Sequence, residues 1–473
     1  MSHSSVQYCP KSFAVPIIFV PGLMGSRLRI KQDKRIVWEP LDNIGNAIRL
    51  ARSNAVEKRA ELIGLDAAPY SPDYLEVDLG ESNPQHPFLQ ERIDRGWGGV
   101  LQGSYSGFLA WLQVSATLPE NGLLPRGCSA LHYEVWAPPY NWTDDNLNSG
   151  RDLGDTVRKA LEGTAKKYQG TDVQVLKPII ITHSMGGLVS RAYTQLHGGA
   201  EEVHGVIHGA LPCEGAPAAY KRILAGFEGA GIERHVLGAN QQEVTATAAN
   251  MPGVLQLLPN QWHKTVNGAK AWLHCTGKDG SKLWSKPAAN PYSEIYSNQS
   301  DWWRLVYKEH LNPGSDNESE AYISYVKALK NAESFHAQLG PSAFHPNPRM
   351  FYSDDTEHSS WDSVEWKQTE TEDIPPDDTF QDTNGRGIFT WSRMVLVVDF
   401  GGFEPVPRLI THYELQPANA PGDGTVHSGS GLHVSGPMSL PINPGFEHQP
   451  AFDSKEARRL TKEWLFEMVE EQL

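Results

Sequence analysis

The chain of 473 residues contains no run of 18 or more apolar residues, so no membrane-spanning helix is expected. It also lacks a basic N-terminal segment followed by an apolar one, so no secretory signal is predicted and synthesis in the cytoplasm is expected. Basic residues are in deficit, because 41 Lys and Arg stand against 56 Asp and Glu, a net charge of −15. A protein that binds nucleic acid by neutralising phosphates is therefore not expected.

Cysteine is scarce as well. The four cysteines, Cys9, Cys128, Cys213 and Cys275, are far apart in the sequence. Their spacing fits neither a zinc site nor a dense disulfide framework, so reduced and mostly buried thiols are predicted. Aromatic residues make up 10% of the chain, enough for a hydrophobic core, which excludes a wholly disordered protein.

The sequence does contain an alternation of short apolar runs with helical patterns. Four apolar runs predict strands, over residues 14–20, 132–137, 175–182 and 203–208. Apolar residues at helical spacing predict helices over 151–168 and 187–196. Strands that alternate with helices favour an α/β fold built on a mostly parallel sheet with helices on both faces.

This alternation weakens between residues 215 and 386, where Gly, Pro, Asn and Trp accumulate. We interpret 215–386 as an inserted cap or lid region that separates two parts of the core, 1–214 and 387–473. A strand at 394–400 and a C-terminal helix capped by Asp453 are predicted for the second part.

Within the cap region, residues 354–382 hold eleven acidic residues and one basic residue, Lys367. Like charges repel one another and resist packing, so this segment is predicted to be a solvated loop. A calcium site is the weaker alternative, because carboxylate oxygens suit that ion although no EF-hand spacing is present. No other cofactor is predicted.

The strongest motif is IIITHSMGGLV at 179–189, where a buried strand runs directly into a helix. It matches the nucleophile elbow G-x-S-x-G, with Thr182 in place of the first glycine. The sharp turn of such an elbow strains the backbone of the serine and pushes its hydroxyl out of the sheet. Small residues on either side let the strand and the helix approach each other. Ser184 is therefore the predicted nucleophile.

A serine hydroxyl needs a base, and the base needs a group that orients it. After a nucleophile elbow the acid comes next along the chain and the histidine follows the acid. Asp423 lies in the turn GDGTV, and His448 lies in FEHQ just before the final helix, so these two are the predicted acid and base. Alternatives remain for both roles: His427 and His433 for the base, and Glu447 for the acid.

Ester hydrolysis would also require two backbone N–H donors for the developing oxyanion. Met185, the residue after the nucleophile, is predicted to supply one of them. The glycine-rich stretch VPGLMGS at 20–26 follows the first predicted strand, and we expect Leu23 to supply the other. Glycines in this stretch allow the backbone to approach a substrate closely.

Four motifs together resemble the lecithin:cholesterol acyltransferase-like lipases, and several also resemble the glycosylphosphatidylinositol inositol-deacylase-like lipases. In chain order they are VPGLMGSRL (20–28), APPYNW (137–142), THSMGG (182–187) and GDGTV (422–426). The resemblance implies the α/β-hydrolase fold and the same nucleophile, acid, base and oxyanion donors as predicted above. Asn141 stands where that family usually has an aspartate, so no role that depends on this acid is implied.

Further segments resemble bacterial type VI secretion lipase effectors, and they cover most of the chain. They are RGWGGV (95–100), YSGFLAWL (105–112), VIHGALPCEGAPAAYKRILAGFEG (206–229), EVTATAANMPGVLQLLPN (243–260) and FEHQPAF (446–452). This resemblance implies a phospholipase that a secretion-spike protein delivers into the periplasm of a target cell. It also implies a cognate immunity protein as a partner.

Three functions stay open at this point. The first is hydrolysis of phospholipid acyl esters, and the second is acyl transfer to an alcohol on the same scaffold. The sequence does not separate these two, because both share every step up to the acyl-enzyme. The third is a non-catalytic binding or delivery module. It is disfavoured because nucleophile, acid, base and both oxyanion loops are all present.

Four tryptophans of the cap region allow two interpretations: Trp262, Trp284, Trp302 and Trp303. They could form an amphipathic surface that meets a membrane, or they could form the core of the cap, which we prefer. The net negative charge does not favour binding to anionic lipids. Any docking on a membrane would therefore depend on apolar contact.

Overall fold

The structure of the chain is a computed structural model. It describes residues 11–39, 50, 52–64, 70–80, 90–119, 123–228, 232–315, 318–372, 379–381, 388–392, 395–399, 402–406 and 410–473. Within these ranges no helix combines the length and the apolar character needed to cross a bilayer.

The central sheet has seven strands, and every pairing in it is parallel. From one edge to the other the strands are Met438–Ile442, Pro348–Ser353, Gly205–Gly209, Ile179–His183, Lys11–Val20 and Cys128–Trp136, with Val173–Val175 beside the first part of Lys11–Val20. Ile179–His183 and Gly205–Gly209 are buried along their whole length. Such burial on both faces explains why the sequence shows continuous apolar runs instead of an alternating pattern.

The four strands predicted from the sequence are present, and one of them is divided. The predicted strand 175–182 appears as Val173–Val175 and Ile179–His183, which pair with different parts of Lys11–Val20. Pro178 lies between the two segments, and proline has no N–H to donate to a neighbouring strand. The proline therefore accounts for a missing donor at the point where the two segments separate.

Helices cover both faces of the sheet, as predicted. The α-helices are Ala55–Leu62, Gln90–Asp94, Gln102–Ala110, Asn146–Lys167, Gly186–Arg191, Pro217–Ala225, Ile232–Val236, Gln241–Ala246, Pro252–Leu255, Lys308–Leu311, Glu318–Leu339, Gly429–Leu432 and Lys455–Glu470. Wider π-helical turns and tighter 3-10 turns complete the helical part: Trp111–Ser115, Ala192–Leu196 and Tyr292–Tyr296, then Trp97–Gly99, Gly199–Glu202, Ala248–Asn250 and Ala451–Asp453.

The final helix, Lys455–Glu470, has the amphipathic pattern that the sequence predicts, but its N-terminal cap is not the predicted residue. Its apolar stripe, which includes Leu460 and Trp464, is buried. The prediction that Asp453 caps this helix is wrong. Ser454 is the cap, and its hydroxyl accepts a hydrogen bond from the N–H of Ala457. Asp453 instead forms an ion pair with Arg458, 2.7 Å away.

A second sheet lies in and beyond the predicted cap region. Its six strands, in spatial order, are Lys282–Lys286, Leu273–Thr276, Val364–Glu372, Ile410–Leu415, Ile388–Ser392 and Thr379–Gln381. Leu273–Thr276 and Val364–Glu372 pair in parallel, whereas the other neighbours are antiparallel. The cap region is therefore not built from helices and loops alone.

The acidic segment 354–382 differs from the solvated loop predicted for it, because it contains strands. They are Asp355–Ser360, Val364–Glu372 and Thr379–Gln381. Val364 and Trp366 are fully buried, while Lys367 between the acidic positions is exposed. Successive side chains of a strand point to opposite faces, so apolar groups can lie on the packed face and charged groups on the solvent-exposed face. The net charge of the segment therefore does not prevent a strand. Among the described residues no group of three or more His, Cys, Asp or Glu side chains could hold a metal ion.

Two further strands belong to sheets other than those that the sequence pattern indicates. Pro348–Ser353 belongs to the central sheet although it falls inside 215–386. The strand predicted at 394–400 is present as Val395–Asp399, but it pairs with Gly402–Val406 and not with the central sheet. The division of the chain at residues 214 and 386 stays a prediction.

Two small sheets remain, and one of them leads to the acid turn. Asp355–Ser360 pairs with Ala420–Gly422, which immediately precedes Asp423. The other consists of Ile36–Trp38, Leu28–Ile30 and Leu75–Val77.

The seven-stranded parallel sheet with helices on both faces and a strand–turn–helix at its centre is the α/β-hydrolase fold, as predicted. In this fold the loops at the carboxyl ends of the parallel strands meet at one edge of the sheet. The loops after Lys11–Val20, Ile179–His183 and Met438–Ile442 therefore meet there.

Candidate active site

Ser184 occupies the turn between the strand Ile179–His183 and the helix Gly186–Arg191. Its φ is 53°, a left-handed value that few residues other than glycine adopt. The N–H of Ser184 donates to the carbonyl of Gly209 over 2.9 Å, which ties the turn to the next strand. The strained turn predicted for a nucleophile elbow is therefore present.

Close packing explains the residue types on either side of Ser184. A Cβ on Gly186 would lie 2.4 Å from the carbonyl oxygen of Val20, so only glycine fits there. Thr182 takes the place of the usual first glycine, and its hydroxyl lies 2.9 Å from His208 Nδ1 in the interior. This partner satisfies the buried hydroxyl, which explains how the larger residue is accommodated.

The predicted nucleophile, base and acid lie within hydrogen-bond distance of one another. Ser184 Oγ is 2.8 Å from His448 Nε2, and His448 Nδ1 is 2.8 Å from Asp423 Oδ2. Ser184 and Asp423 are buried, whereas the His448 side chain is partly exposed. The carboxylate accepts from Nδ1–H, so Nε2 is free to accept the proton of the serine hydroxyl.

Backbone hydrogen bonds fix the carboxylate of Asp423. Its Oδ1 accepts from the N–H groups of Thr425 at 3.0 Å and Val426 at 2.7 Å. The N–H of His448 donates to the main-chain carbonyl of Asp423 over 2.7 Å. With Oδ1 occupied by the turn, Oδ2 remains for the imidazole. Asp423 and His448, which are 25 residues apart in sequence, are thus joined twice, once through the backbone and once through their side chains.

The alternative acid and bases lie in other surroundings. His427 is buried, and its ring centroid lies 5.1 Å from that of His263. Within the described residues neither of its ring nitrogens has a hydrogen-bond partner. His433 Nε2 donates to a main-chain carbonyl 2.9 Å away. Glu447 is exposed at the cavity. The structure brings the predicted acid and base to Ser184 and leaves these alternatives without a hydrogen bond to it.

The loop after the first strand approaches the elbow where the oxyanion donors are predicted. A Cβ on Gly22 would lie 3.0 Å from Ser184 Cβ, so glycine allows this approach. Leu23 follows at the wall of the cavity. Across the part of the chain that the structure describes, the N–H groups of Leu23 and Met185 donate to no other group. Both N–H groups are thus available to a ligand.

Two residues that the motifs do not single out also belong to the site. His183 Nδ1 lies 2.9 Å from Tyr105 Oη, and His183 Nε2 lies 2.8 Å from the carbonyl of His448. Burial, together with the charge of His448, lowers the pKa of His183 to about 3, so its ring is neutral. Burial raises the pKa of Tyr105 to about 12, so its hydroxyl keeps its proton. His183 adjoins the serine in sequence, but no spacing in the sequence would have indicated Tyr105.

A cavity of about 680 Å³ opens beside Ser184 and His448. Most of its walls away from these two residues are apolar, and both the cap region and loops of the core contribute to them. The apolar lining residues from the cap region are Ala216, Ala219, Ile223, Phe227, Leu237, Val244, Ala248, Val254 and Leu257. A cavity of this size and character suits the hydrocarbon part of a ligand.

The cap region contacts the acid turn through Arg222. Its Nη2 lies 3.3 Å from the Gly424 carbonyl, 3.2 Å from Thr425 Oγ1 and 2.6 Å from a carboxylate oxygen of Glu228. Burial acts to raise the pKa of Glu228, but the positive charges of Arg222 and Lys221 outweigh it and lower this pKa to about 2. Glu228 is therefore anionic and pairs with Arg222 within the cap region, while the bonds from Arg222 to Gly424 and Thr425 join the cap to the turn that carries the acid.

Three of the four tryptophans noted in the cap region pack against one another. Ring centroids are 4.2 Å apart for Trp284 and Trp303, and 5.6 Å apart for Trp302 and Trp303. Trp302 also stacks on Tyr413 with a centroid distance of 4.4 Å. Each of the three is half-buried, and these contacts favour the interpretation as packed core over that of a free membrane-facing surface.

Burial of six histidines is expected to make the fold sensitive to acid. Burial lowers the pKa of His183 and His208 to about 3 and that of His263 and His336 to about 4. It also places the pKa of His427 well below 6.5 and lowers that of His345. These rings are neutral in the folded protein, whereas in the unfolded chain they bind protons below about pH 6.5. Their contribution to stability is therefore complete above about pH 6.5 and is lost progressively as the pH falls from there through the lowered pKa values of the folded state, about 4 and about 3.

We expect the free energy of unfolding to fall below pH 6.5 by up to about 1.4 kcal/mol per pH unit for each such histidine. Three carboxyl groups act in the opposite sense, because burial raises the pKa of Glu214 to about 7 and also raises that of Asp144 and Asp152, but they are fewer than the six histidines. Thermal melting at pH 7.5, 6.5, 5.5 and 4.5 measures the effect. A melting temperature that stays constant down to pH 5.5 would contradict it.

The chain is similar along nearly its whole length to a chain of the crystal structure of the Tle4–Tli4 complex. The identity is 25%, the TM-score is 0.74, and the similarity covers 98% of this chain and 100% of that one. Lipase BlEst2 of Bacillus licheniformis in its mature form is 14% identical, over 50% of this chain and 55% of that one, with a TM-score of 0.21. Phospholipase PlaB from Legionella pneumophila is 10% identical, over 66% of this chain and 78% of that one, with a TM-score of 0.20. Similarities as low as the last two carry no argument about function. No family model matches the chain, and no curated protein matches it.

Proposed function

We propose that the protein is a serine-dependent hydrolase that cleaves acyl esters of phospholipids. One observation carries the proposal: Ser184, at a φ of 53°, lies 2.8 Å from His448 Nε2, whose Nδ1 lies 2.8 Å from Asp423 Oδ2. A serine in this arrangement is prepared for acyl transfer, because its proton can pass to the imidazole as its oxygen attacks a carbonyl.

Acylation follows from this arrangement. Ser184 Oγ attacks the ester carbonyl while its proton moves to His448 Nε2, and Asp423 stabilises the imidazolium that forms. The N–H groups of Leu23 and Met185 donate to the oxyanion of the tetrahedral intermediate. When the intermediate collapses, His448 returns the proton to the departing alcohol oxygen. The acyl group then remains on Ser184.

Deacylation repeats these steps with water as the nucleophile. His448 accepts a proton from water, the resulting hydroxide attacks the acyl-enzyme, and the same two N–H groups hold the second oxyanion. Collapse releases the fatty acid, and Ser184 regains its proton from His448. An alcohol in place of water would yield a new ester, so the hydrolase and the acyltransferase differ only at this step.

The apolar cavity supports a lipid rather than a small polar ester as the substrate. A large part of its apolar wall beyond the triad comes from the cap region, and the cap meets the acid turn at Arg222. A wall of this kind removes water from the acyl chain and strengthens the hydrogen bonds to the oxyanion. The cap region of residues 215–386 therefore controls access to Ser184 in this proposal.

If the cap controls access, turnover should rise when the substrate forms an interface. We expect hydrolysis to accelerate abruptly once the concentration of a micelle-forming ester passes its micelle threshold, because an apolar surface favours displacement of the cap. Rate against substrate concentration measures this, with a short-chain ester that stays monomeric as the control. A smooth saturating curve with no step for the micellar substrate would indicate an open site and a cap with a structural role only.

Product analysis tests the proposal as a whole. The substrate is a phospholipid with two different acyl chains in vesicles, and mass spectrometry identifies the products with and without an added alcohol. We expect one free fatty acid and the matching lysophospholipid in equal amounts. A new ester that accounts for most of the released acyl groups would identify an acyltransferase. No change in the lipid at all would refute the proposal.

We further propose that the protein acts as an antibacterial type VI secretion effector with a cognate immunity protein. Two observations support this: the segments that resemble type VI lipase effectors, and the similarity to a chain solved in the Tle4–Tli4 complex. In this proposal the protein is made in the cytoplasm, is carried by a secretion-spike protein and acts on membrane lipid in the periplasm of the target cell.

A further inference from the structure

A continuous chain of three hydrogen bonds, two of them buried and one partly buried, joins the two sides of the site. The N–H of Gly22 donates to Tyr105 Oη over 3.2 Å, and Tyr105 Oη lies 2.9 Å from His183 Nδ1. His183 Nε2 lies 2.8 Å from the carbonyl oxygen of His448. Four separate segments contribute: the loop after the first strand, the helix Gln102–Ala110, the end of Ile179–His183 and the loop before the final helix.

The two ends of the chain determine the direction of every bond in it. The carbonyl of His448 can only accept, so the hydrogen of His183 lies on Nε2. A neutral His183 then accepts at Nδ1, so Tyr105 must donate its hydroxyl proton to it. The N–H of Gly22 can only donate, and the Tyr105 oxygen has lone pairs left to accept it. In this series of three hydrogen bonds each donor has an acceptor, and no two assignments conflict.

The end points of this chain belong to the proposed reaction machinery. Gly22 precedes Leu23, whose N–H is one proposed oxyanion donor. At the other end is the backbone of His448, the proposed base. Tyr105 lies behind both and does not line the cavity, whereas His183 lies between them. This series of bonds thus connects the oxyanion loop to the base.

A second contact supports the same connection. Gln449, next to the base, donates from Nε2 to Ser104 Oγ over 2.7 Å, and Ser104 is next to Tyr105. The helix Gln102–Ala110 therefore holds the base loop at two neighbouring positions. The ring of Tyr105 also packs on Phe19 with a centroid distance of 5.0 Å, so the ring has a fixed place independent of its hydroxyl.

We propose that Tyr105 and His183 are positioning residues, which hold the N–H of Leu23 and the imidazole of His448 at the distances from Ser184 that the transition state requires. This inference rests on the proposed ester hydrolysis. Neither residue exchanges a proton with the substrate. Their effect is to align groups that do, and misplacement of such groups by about 1 Å costs on the order of 100-fold in rate.

Tyr105→Phe is the first test, because it removes the hydroxyl and keeps the packed ring. The matched control is Tyr325→Phe, which deletes another buried hydroxyl, bonded over 2.8 Å to the carbonyl of Tyr296 in the cap region. Active sites are counted by titration with a fluorophosphonate, and kcat is expressed per titrated site. We expect kcat to fall roughly 10- to 100-fold in Tyr105→Phe with KM within about twofold, since the lost alignment matters in the transition state. Tyr325→Phe should keep the wild-type kcat.

Two variants of His183 test the other half of the chain. Glutamine can place an amide N–H near the position of Nε2 and so keep the bond to the His448 carbonyl, whereas leucine cannot. We expect His183→Gln to retain more of the wild-type kcat per site than His183→Leu. Tyr105→Phe added to His183→Leu should cost less than it does alone, because both substitutions break one connection.

The outcomes separate this inference from the proposed function. If the wild-type protein hydrolyses esters through Ser184 while Tyr105→Phe keeps its kcat per site, the positioning role is refuted and the function stands. A parallel loss of kcat in Tyr105→Phe and Tyr325→Phe would also refute it, since the effect would then be general destabilisation. If the wild-type protein shows no ester hydrolysis, the function and this inference fall together.

Discussion

Ser184→Ala is expected to reduce ester hydrolysis by a factor on the order of 10⁴ to 10⁶, the range typical of a lost serine nucleophile. The variant keeps the backbone bond from the N–H of residue 184 to the Gly209 carbonyl and leaves no oxygen 2.8 Å from His448 Nε2. Alanine is no larger than serine and adopts the φ of 53° at a similar cost. The melting temperature should therefore stay within about 3 °C of the wild-type value.

Ser190 provides the matched control for this prediction. It lies on the same short helix after the elbow, it is fully buried, and its hydroxyl donates to the Gly187 carbonyl over 3.1 Å. Ser190→Ala also removes a buried hydroxyl from this helix, yet it should hydrolyse a chromogenic ester at close to the wild-type rate. More than a few per cent of the activity remaining in Ser184→Ala would place the nucleophile elsewhere.

The sequence predicts Ser184, Asp423 and His448 because each of these residues carries a local signal. A buried strand that ends in a serine, with a glycine two residues later, indicates an elbow without knowledge of the rest of the fold. Asp423 and His448 followed from chain order and from the turns that carry them. In the structure His448 lies 2.8 Å from Ser184 on one side and 2.8 Å from Asp423 on the other.

Other parts of the molecule had no local signal of that kind. Tyr105 reaches His183 across 78 residues of sequence, and only the packed helix Gln102–Ala110 brings them together. The strand Val364–Glu372 was obscured by its acidic residues, because a count of charges ignores which face of a strand they occupy. Long-range pairing and side-chain direction decide both features, and neither property is contained in composition or spacing.

His448→Ala is expected to be nearly as damaging as Ser184→Ala, and the double variant barely worse than either, because members of such a triad act as a unit. The N–H of residue 448 still donates to the Asp423 carbonyl in this variant, so the loop keeps its position. The loss should appear in kcat, since the imidazole accepts a proton only as the serine attacks. Rates of the two single variants and the double variant on one ester measure the expected lack of additivity.

The alternative residues provide the controls for the base and the acid. His433→Ala and Glu447→Gln should keep close to wild-type kcat, because the structure bonds His433 to a main-chain carbonyl and leaves Glu447 exposed. Free imidazole can enter the space left in His448→Ala and should restore part of its activity, whereas it cannot restore Ser184→Ala. If His427→Ala is inactive at an unchanged melting temperature while His448→Ala remains active, the base is His427. Imidazole rescue of His448→Ala alone would locate the missing proton acceptor between Ser184 and Asp423, as the 2.8 Å contacts on either side of that ring require.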